Sequence, residues 1–153
     1  MPYQVAVRKE APLDVVCIAA STSLATIVQT IGECFGELMG YVQEHGLQMT
    51  GPPFIAYPDP IHEEEGRIEC CFPVAGAAPA QGRVEPRHLS GGPVAWTRHV
   101  GPYDQVGEAY AALDAWVAEN GRRVTGPPRE VYLNEPQTTA PEDLLTEVVW
   151  PLA

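Results

Sequence analysis

One carboxylate interrupts an apolar run near the C-terminus, where it could support binding or catalysis. Glu147 lies in the run LLTEVVWPL. Alternate residues of a strand face opposite sides, so Glu147 shares a side with Leu145 and Val149. If a helix covers that side, the carboxylate is buried, and an unpaired buried carboxylate is costly unless it takes up a proton. A bound cation would offset this cost, so we predict that Glu147 is a ligand-binding acid. The alternative is that it faces solvent.

Aromatic residues could form the walls of a pocket around such an acid. A well-placed ring attracts a cation by about 0.5–2 kcal/mol. Tyr132 is the strongest candidate, because a buried phenol needs a hydrogen-bond partner that a nearby carboxylate would supply. The other candidate ligand-binding residues are Tyr57, Trp96, Tyr103, Tyr110 and a second carboxylate, Glu69. Core packing is the alternative for each aromatic residue, and an exposed or salt-bridged position near Arg67 is the alternative for Glu69.

Other chemical signals in the sequence are weak. The four cysteines show no metal-binding spacing, and the adjacent Cys70 and Cys71 point to opposite faces of a strand. The acidic run at 62–65, which begins with His62, is more typical of a solvated turn than of a metal site. No phosphate loop, nucleophile elbow or HExxH motif is present. We therefore expect no metal and no standard cofactor.

The elements that would position these residues belong to a duplication. Pairing residue n with residue n+75 over positions 32–57 gives 11 identities in 26 positions without a gap. The identical pairs are Gly32/Gly107, Glu33/Glu108, Leu38/Leu113, Val42/Val117, Glu44/Glu119, Gly46/Gly121, Thr50/Thr125, Gly51/Gly126, Pro52/Pro127, Pro53/Pro128 and Tyr57/Tyr132. Aligning Pro73 with Pro151 further along the chain places Glu69 at the position of Glu147.

Hydrophobic periodicity predicts the order β-β-α-β-β in each repeat. The predicted strands are 3–9, 13–19, 54–58, 67–74, 83–88, 93–100, 129–133 and 144–150, with helix 103–119 in the second repeat and a helix carrying the apolar stripe Ile31, Phe35, Leu38 and Val42 in the first. We expect a single α+β domain over 1–153, made of repeats at about 1–75 and 82–153. Pseudo-twofold symmetry would place eight strands with both main helices on one face and a ligand cavity between the halves.

Charge and hydropathy limit the partners of the protein. Nine Lys and Arg residues stand against twenty Asp and Glu residues, which gives a net charge of −11. Such a surface repels phosphate, so we expect no direct nucleic-acid binding, whereas a cationic small molecule would be attracted. No apolar stretch is long enough for a transmembrane helix, and the N-terminus lacks the apolar centre of a signal peptide. We therefore expect a cytoplasmic protein without a membrane partner.

Three segments together resemble the GyrI-like small-molecule-binding domain, which is also the effector-binding part of some AraC-type and MerR-type transcription regulators. They are GPYDQVGEAYAALDAWVAENG, GPPREVYLNEP and LLTEVVWPL. The resemblance implies a pseudo-twofold pair of β-β-α-β-β units whose cavity receives hydrophobic, often cationic compounds. It implies that Glu147 is the cavity acid, with Tyr132 and Tyr110 as walls. The sequence contains no helix-turn-helix segment, so we do not expect it to regulate transcription alone.

Three functions follow from these observations. The first is a stand-alone binding protein for hydrophobic, including cationic, drug-like molecules. The second is an enzyme, because some stand-alone members of the family are similar to hydrolases of electrophilic cyclopropane-bearing genotoxins. In that case Glu147 would position a water molecule, and Tyr132 or Tyr110 would assist the leaving group. The third is an acidic protein that binds and inhibits a DNA-handling enzyme, which only the negative charge and the family name support.

Overall fold

The computed structural model describes residues 3–59, 64–76 and 78–153. In chain order the elements are β1 (Ala6–Glu10), β2 (Leu13–Thr22), α1 (Ile27–Glu44), β3 (Gln48–Met49), β4 (Phe54–Ala56), β5 (Gly66–Ala75), β6 (Glu85–Leu89), β7 (Gly92–Val100), α2 (Gly107–Glu119), β8 (Arg129–Tyr132) and β9 (Leu145–Pro151). Two short 3-10 turns, Tyr103–Gln105 and Pro141–Asp143, precede α2 and β9.

The chain forms two compact units, which are described separately. The middle unit is Pro12–Ser90, and the terminal unit joins Met1–Ala11 to Gly91–Ala153. In the middle unit the antiparallel strand order is β4-β5-β2-β6, and β3 pairs with the end of β5. Helix α1 packs against β2 and β5. Its buried side chains, Cys34, Leu38, Tyr41 and Val42, recur at spacings that keep them on one face of the helix.

The terminal unit repeats this plan with the antiparallel strand order β1-β7-β9-β8. Helix α2 packs against β7 and β9. The centre of its core is formed by small and branched side chains: Ala95, Ala109, Leu113, Val148 and Leu152. A chain reversal at Gly101, whose φ of 130° favours glycine, connects β7 to the turn that leads into α2.

The compact units do not follow the limits of the sequence repeats. Strand β1 begins the first repeat, yet it pairs with β7 of the second repeat, with Arg8 opposite Val94. Strand β6 begins the second repeat, yet it pairs with β2 of the first, with Arg87 opposite Val15. Each repeat therefore supplies its first strand to the sheet of the other. The repeat limits of about 1–75 and 82–153 and the single domain stay predictions.

The predicted α+β class is confirmed, and each predicted strand and helix overlaps an observed one. The structure adds the short strand β3, which the periodicity did not indicate. The predicted helix 103–119 starts as a 3-10 turn, and α2 itself begins at Gly107. The pseudo-twofold arrangement and the cavity between the halves stay predictions. Over the described ranges, neither helix combines the length and apolar character needed to cross a membrane.

Candidate functional site

The two faces of the terminal sheet carry different side chains. On β9, Val148 packs in the core beneath α2, so the residues that alternate with it lie on the face without a helix. Glu147 is one of them, so the condition that a helix covers its side of the strand is not met. Glu147 is nevertheless buried, at 7% exposure.

Two arginines hold Glu147 on the helix-free face. Arg8 Nη2 donates to Oε1 at 2.8 Å, and Arg98 Nη2 lies 3.3 Å from Oε2. Burial alone would raise the pKa of Glu147, but the hydrogen bonds and charges of Arg8 and Arg98 outweigh burial and lower it. The carboxylate therefore stays ionised without a ligand.

These contacts belong to a chain of charges that crosses the terminal sheet. Arg129 on β8 pairs with Glu10 on β1, and Arg8 bridges Glu10 and Glu147, with its Nη2 at 3.0 Å from Glu10 Oε2. The guanidinium of Arg8 also lies 4.7 Å from the ring centre of Trp96. Thus Trp96, a predicted ligand contact, already has a cation from the protein on its ring. Strands β7 and β9 lie between β1 and β8, so the ion pair of Arg129 with Glu10 can form only because the sheet curls toward this face.

The middle unit contains an equivalent ion pair. Glu69 pairs with Arg87 on β6 and not with its sequence neighbour Arg67. Strand register makes Arg87 the counterpart of Arg8, and the Pro73 and Pro151 alignment makes Glu69 the counterpart of Glu147. In both units the pair connects the strand supplied by the other repeat to the sheet. This recurrence supports a structural role, and the ligand roles of Glu69 and Glu147 stay predictions.

A different glutamate lies on the helix side of the terminal sheet. Glu130 on β8 is 7% exposed. The hydroxyl of Tyr110 on α2 donates to its Oε2 at 2.7 Å, and the hydroxyl of Tyr132 donates to its Oε1 at 3.1 Å. Residues 130 and 132 share a face because side chains of a strand alternate. No Arg, Lys or His of the described chain forms an ion pair with Glu130, in contrast to Glu147.

Burial dominates the electrostatics of Glu130. Desolvation raises its pKa, and the hydrogen bonds from Tyr110 and Tyr132 and the charge of His99 only partly oppose that rise. Tyr103 packs edge-on against Tyr132, with ring centres 5.5 Å apart and planes at 75°. Burial and, to a lesser extent, the charge of Glu130 raise the pKa of Tyr103. We call Glu130, Tyr103, Tyr110 and Tyr132 the Glu130 cluster.

Polar residues of β7 and β9 continue the same face. His99 Nε2 donates to the carbonyl of Pro102 at 2.9 Å, and its Nδ1 lies 2.8 Å from the hydroxyl of Tyr3. Thr97 donates to the carbonyl of Gln4 at 2.8 Å. Thr146, opposite both His99 and Tyr132 in the strand register, is fully buried. Its hydroxyl has no hydrogen-bond partner among the described residues.

The middle unit shows that the fold does not need these polar groups. Strand register makes Ile55 the counterpart of Glu130, and the offset of 75 makes Phe35 the counterpart of Tyr110. The counterparts of Thr97, His99 and Thr146 are Ile18, Ala20 and Ile68. Ile18, Ile55 and Ile68 are fully buried. Two copies of one framework thus carry an apolar core in one unit and a polar cluster in the other.

The structure brings together three of the predicted site residues, Tyr103, Tyr110 and Tyr132. Tyr57 lies in the middle unit after β4 and is half-buried, while Glu69, Trp96 and Glu147 are engaged by arginines. Sequence analysis missed Glu130. The duplication held the signal, since the offset of 75 pairs Glu130 with Ile55.

Metal-binding groups are not apparent in the described part of the chain, where no three His, Cys, Asp or Glu residues are placed to share an ion. His62 and Glu63 of the acidic run lie outside that part. The neighbouring Glu64 and Glu65 are exposed. All four cysteines are free and buried.

Family and structural comparisons agree with this fold. The GyrI-like small molecule binding domain matches residues 3–153, and the chain belongs to that family. The C-terminal domain of EcmrR is 25% identical, with a TM-score of 0.88 over 100% of this chain and 99% of that domain. EcmrR in its DNA complex is 24% identical with a TM-score of 0.87. There the match covers 98% of this chain but only 57% of the EcmrR chain.

More distant structures share the fold. SAV2435, solved bound to tetraphenylphosphonium, is 17% identical with a TM-score of 0.67 over 100% of this chain and 94% of that chain. A protein described as a hydrolase from Listeria innocua is 13% identical with a TM-score of 0.67, over 99% of this chain and 93% of that chain. No curated protein sequence matches this chain.

Proposed function

We propose that this small-molecule-binding domain binds lipophilic cations at the Glu130 cluster. One observation carries the proposal: Glu130 is buried beneath α2, and its only hydrogen bonds from the described residues come from two uncharged phenols, with no ion pair. A buried carboxylate without a counter-ion is costly, and a cation entering the cluster would offset that cost. The rings of Tyr103, Tyr110 and Tyr132 would add about 0.5–2 kcal/mol for each ring that faces the cation.

Glu130 fits this role better than Glu147. The charge of Glu147 is already balanced by Arg8 and Arg98, so a cation would have to displace a guanidinium to gain the same attraction. The counterpart of Glu130 in the middle unit is Ile55, so the acid is not a requirement of the fold. The net charge of −11 also favours the approach of a cation.

Calorimetric titration with tetraphenylphosphonium, the ligand of SAV2435, tests the proposal. Two unit charges 4 Å apart attract by about 4 kcal/mol at an effective dielectric constant of about 20, and desolvation cancels part of this. We therefore expect Glu130→Gln, which removes the charge and keeps the shape, to weaken binding at least about tenfold.

Glu135→Gln is the matched control, because it makes the same change in net charge at an exposed position of the same unit. It should bind tetraphenylphosphonium like the unchanged protein. Equal affinities for the unchanged protein and Glu130→Gln would contradict the proposal, as would no binding at millimolar concentration.

Hydrolysis of electrophilic cyclopropanes is a second candidate function. The observation that favours it is the raised pKa of Glu130 next to two phenols, since groups poised in this way serve as general bases and acids. Ionised Glu130 would take a proton from a water molecule whose oxygen attacks a ring carbon. As the strained C–C bond breaks, Tyr132 or Tyr110 would protonate the leaving carbon, and the proton taken up by Glu130 would then pass to the tyrosinate, which restores both groups.

Turnover separates the two functions. If the protein is a hydrolase, the unchanged protein consumes an electrophilic cyclopropane, and Glu130→Gln binds it with similar affinity but does not consume it. Chromatography of the substrate and titration of the variant measure both quantities. Absence of turnover in the unchanged protein would exclude this function and leave cation binding. The protein-partner role stays a prediction from the negative charge.

A further inference from the structure

We infer that the Glu130 cluster selects cations with N–H donors, so that its preferred ligand is a lipophilic primary or secondary ammonium compound rather than a quaternary one. The inference rests on the proposed function and specifies its ligand class. It depends on two polar groups, the carboxylate of Glu130 and the hydroxyl of Thr146.

Glu130 has acceptor positions that none of the described residues fills. An ionised carboxylate accepts about four hydrogen bonds. Each oxygen of Glu130 receives one, from Tyr110 or from Tyr132, and no other described residue donates to it. The phenols also fix the plane of the carboxylate, so its remaining lone pairs point in defined directions. An ammonium N–H can occupy such a position, whereas a quaternary cation offers charge without a donor.

Thr146 supplies a second unfilled position next to the first. It lies opposite Tyr132 in the register, so Glu130, two residues along β8 on the same face, is its diagonal neighbour at about 7–8 Å between backbones. Its hydroxyl is fully buried without a partner in the described chain, and its counterpart is the apolar Ile68. An unpaired buried hydroxyl destabilises the folded protein. A ligand with several N–H groups would provide the missing partner.

An ammonium head group could reach the buried hydroxyl of Thr146 only if neighbouring side chains moved. Thr146 is fully buried, and Tyr132, its half-buried neighbour on β8, packs edge-on against Tyr103. These two rings would turn to admit an ammonium group, which would then lie between Glu130 and Thr146. The rest of the ligand would lie against the aromatic residues of the cluster.

A matched pair of ligands tests the selection. Dodecylammonium and dodecyltrimethylammonium carry the same charge and chain, and only the first has N–H donors. Titration calorimetry below the micellar concentration should show dodecylammonium binding at least about tenfold more tightly. In Glu130→Gln the ratio of the two affinities should fall toward one. Comparing this ratio between the two proteins cancels the difference in hydration between the two head groups.

Equal affinities for the two ligands in the unchanged protein would overturn the inference. If both ligands still lose affinity in Glu130→Gln, the proposed function stands and only the selection fails. If neither ligand nor tetraphenylphosphonium binds, the proposed function itself fails.

Thr146→Val, with Thr97→Val as matched control, tests whether the ammonium group donates a hydrogen bond to the hydroxyl of Thr146. Both threonines are buried on the same face, but Thr97 has a protein partner in Gln4. Without ligand, Thr146→Val should keep or raise the melting temperature. The same variant should bind dodecylammonium several-fold more weakly and should bind dodecyltrimethylammonium with unchanged affinity. Thr97→Val should lower the melting temperature and leave the affinity ratio intact. An unchanged ratio in Thr146→Val would overturn the role of Thr146.

Discussion

At the scale of single residues, Glu130 and Glu147 show how surroundings set the behaviour of a carboxylate. Both are 7% exposed, and burial raises the pKa of each. Two guanidinium groups reverse that effect for Glu147, because their full charges favour the ionised form. The phenols around Glu130 donate hydrogen bonds but carry no charge, so burial prevails and its pKa stays raised. Glu130 is therefore the carboxyl whose charge can respond to a ligand.

The raised pKa of Glu130 predicts a pH-dependent affinity for a permanent cation. Tetraphenylphosphonium should bind the ionised form, so its affinity should rise as pH increases through the raised pKa, above the ordinary value of 4.5, and then stay constant. Titration calorimetry between about pH 4.5 and pH 8 measures this curve. Glu130→Gln should flatten the part of the affinity curve that belongs to Glu130. The same pH profile in both proteins would contradict the assignment.

The identity of the acid could not be read from local sequence alone. Glu147 stands out because its neighbours are apolar. The same pattern, however, fits a buried carboxylate that is paired with arginine as well as one that is available to a ligand. Glu130 follows Arg129, and adjacent opposite charges resemble a solvated pair. Only a comparison with Ile55 separates the two cases. Tyr110 and Tyr132 contact Glu130 and not Glu147, the acid that the sequence analysis named, and their ligand roles stay predictions.

At the scale of elements, β1 connects the ion network to the polar face. Arg8 and Glu10 belong to this strand, and Arg129 and Glu147 are their partners on β8 and β9. Just before the strand, Gln4 accepts the hydrogen bond from Thr97. The segment from Gln4 to Glu10 therefore contributes to both faces of the terminal sheet.

Removal of Arg8 tests the structural role of this network. Arg8→Met should lower the free energy of unfolding by about 1–3 kcal/mol, because Glu10 and Glu147 each lose a charged hydrogen bond. Urea unfolding measures the loss, and Arg8→Met combined with Glu147→Met should recover part of it, because the double variant no longer buries an acid whose only remaining partner is Arg98.

Tetraphenylphosphonium affinity should change less than about twofold in Arg8→Met, because the network and the Glu130 cluster lie on opposite faces of the sheet. A large loss of affinity with unchanged stability would instead support the ligand role predicted for Glu147. The same variant thus distinguishes a structural role from a binding role.

Periodicity predicted the helices and main strands but not which face of β9 meets α2. Both faces are largely apolar, with Thr146, Val148 and Trp150 on one side and Leu145, Glu147 and Val149 on the other. In the structure Ala95 and Ala109 pack with Val148 beneath α2, a contact between distant segments that periodicity within one strand does not reveal. Strand β3 was missed because its two residues form a strand only through pairing with the distant end of β5.

At the scale of the whole molecule, the exchange of first strands makes each repeat depend on the other. A lone repeat would leave β2 without its neighbour β6 and β1 without its neighbour β7. An ancestral polypeptide with a single repeat could complete its sheet only as a homodimer whose subunits traded N-terminal strands. Such a dimer would have had the acid in both subunits or in neither. Because both copies now belong to one chain, they can differ at this position, with Ile55 in one and Glu130 in the other, so the acid is present once on a scaffold that is used twice.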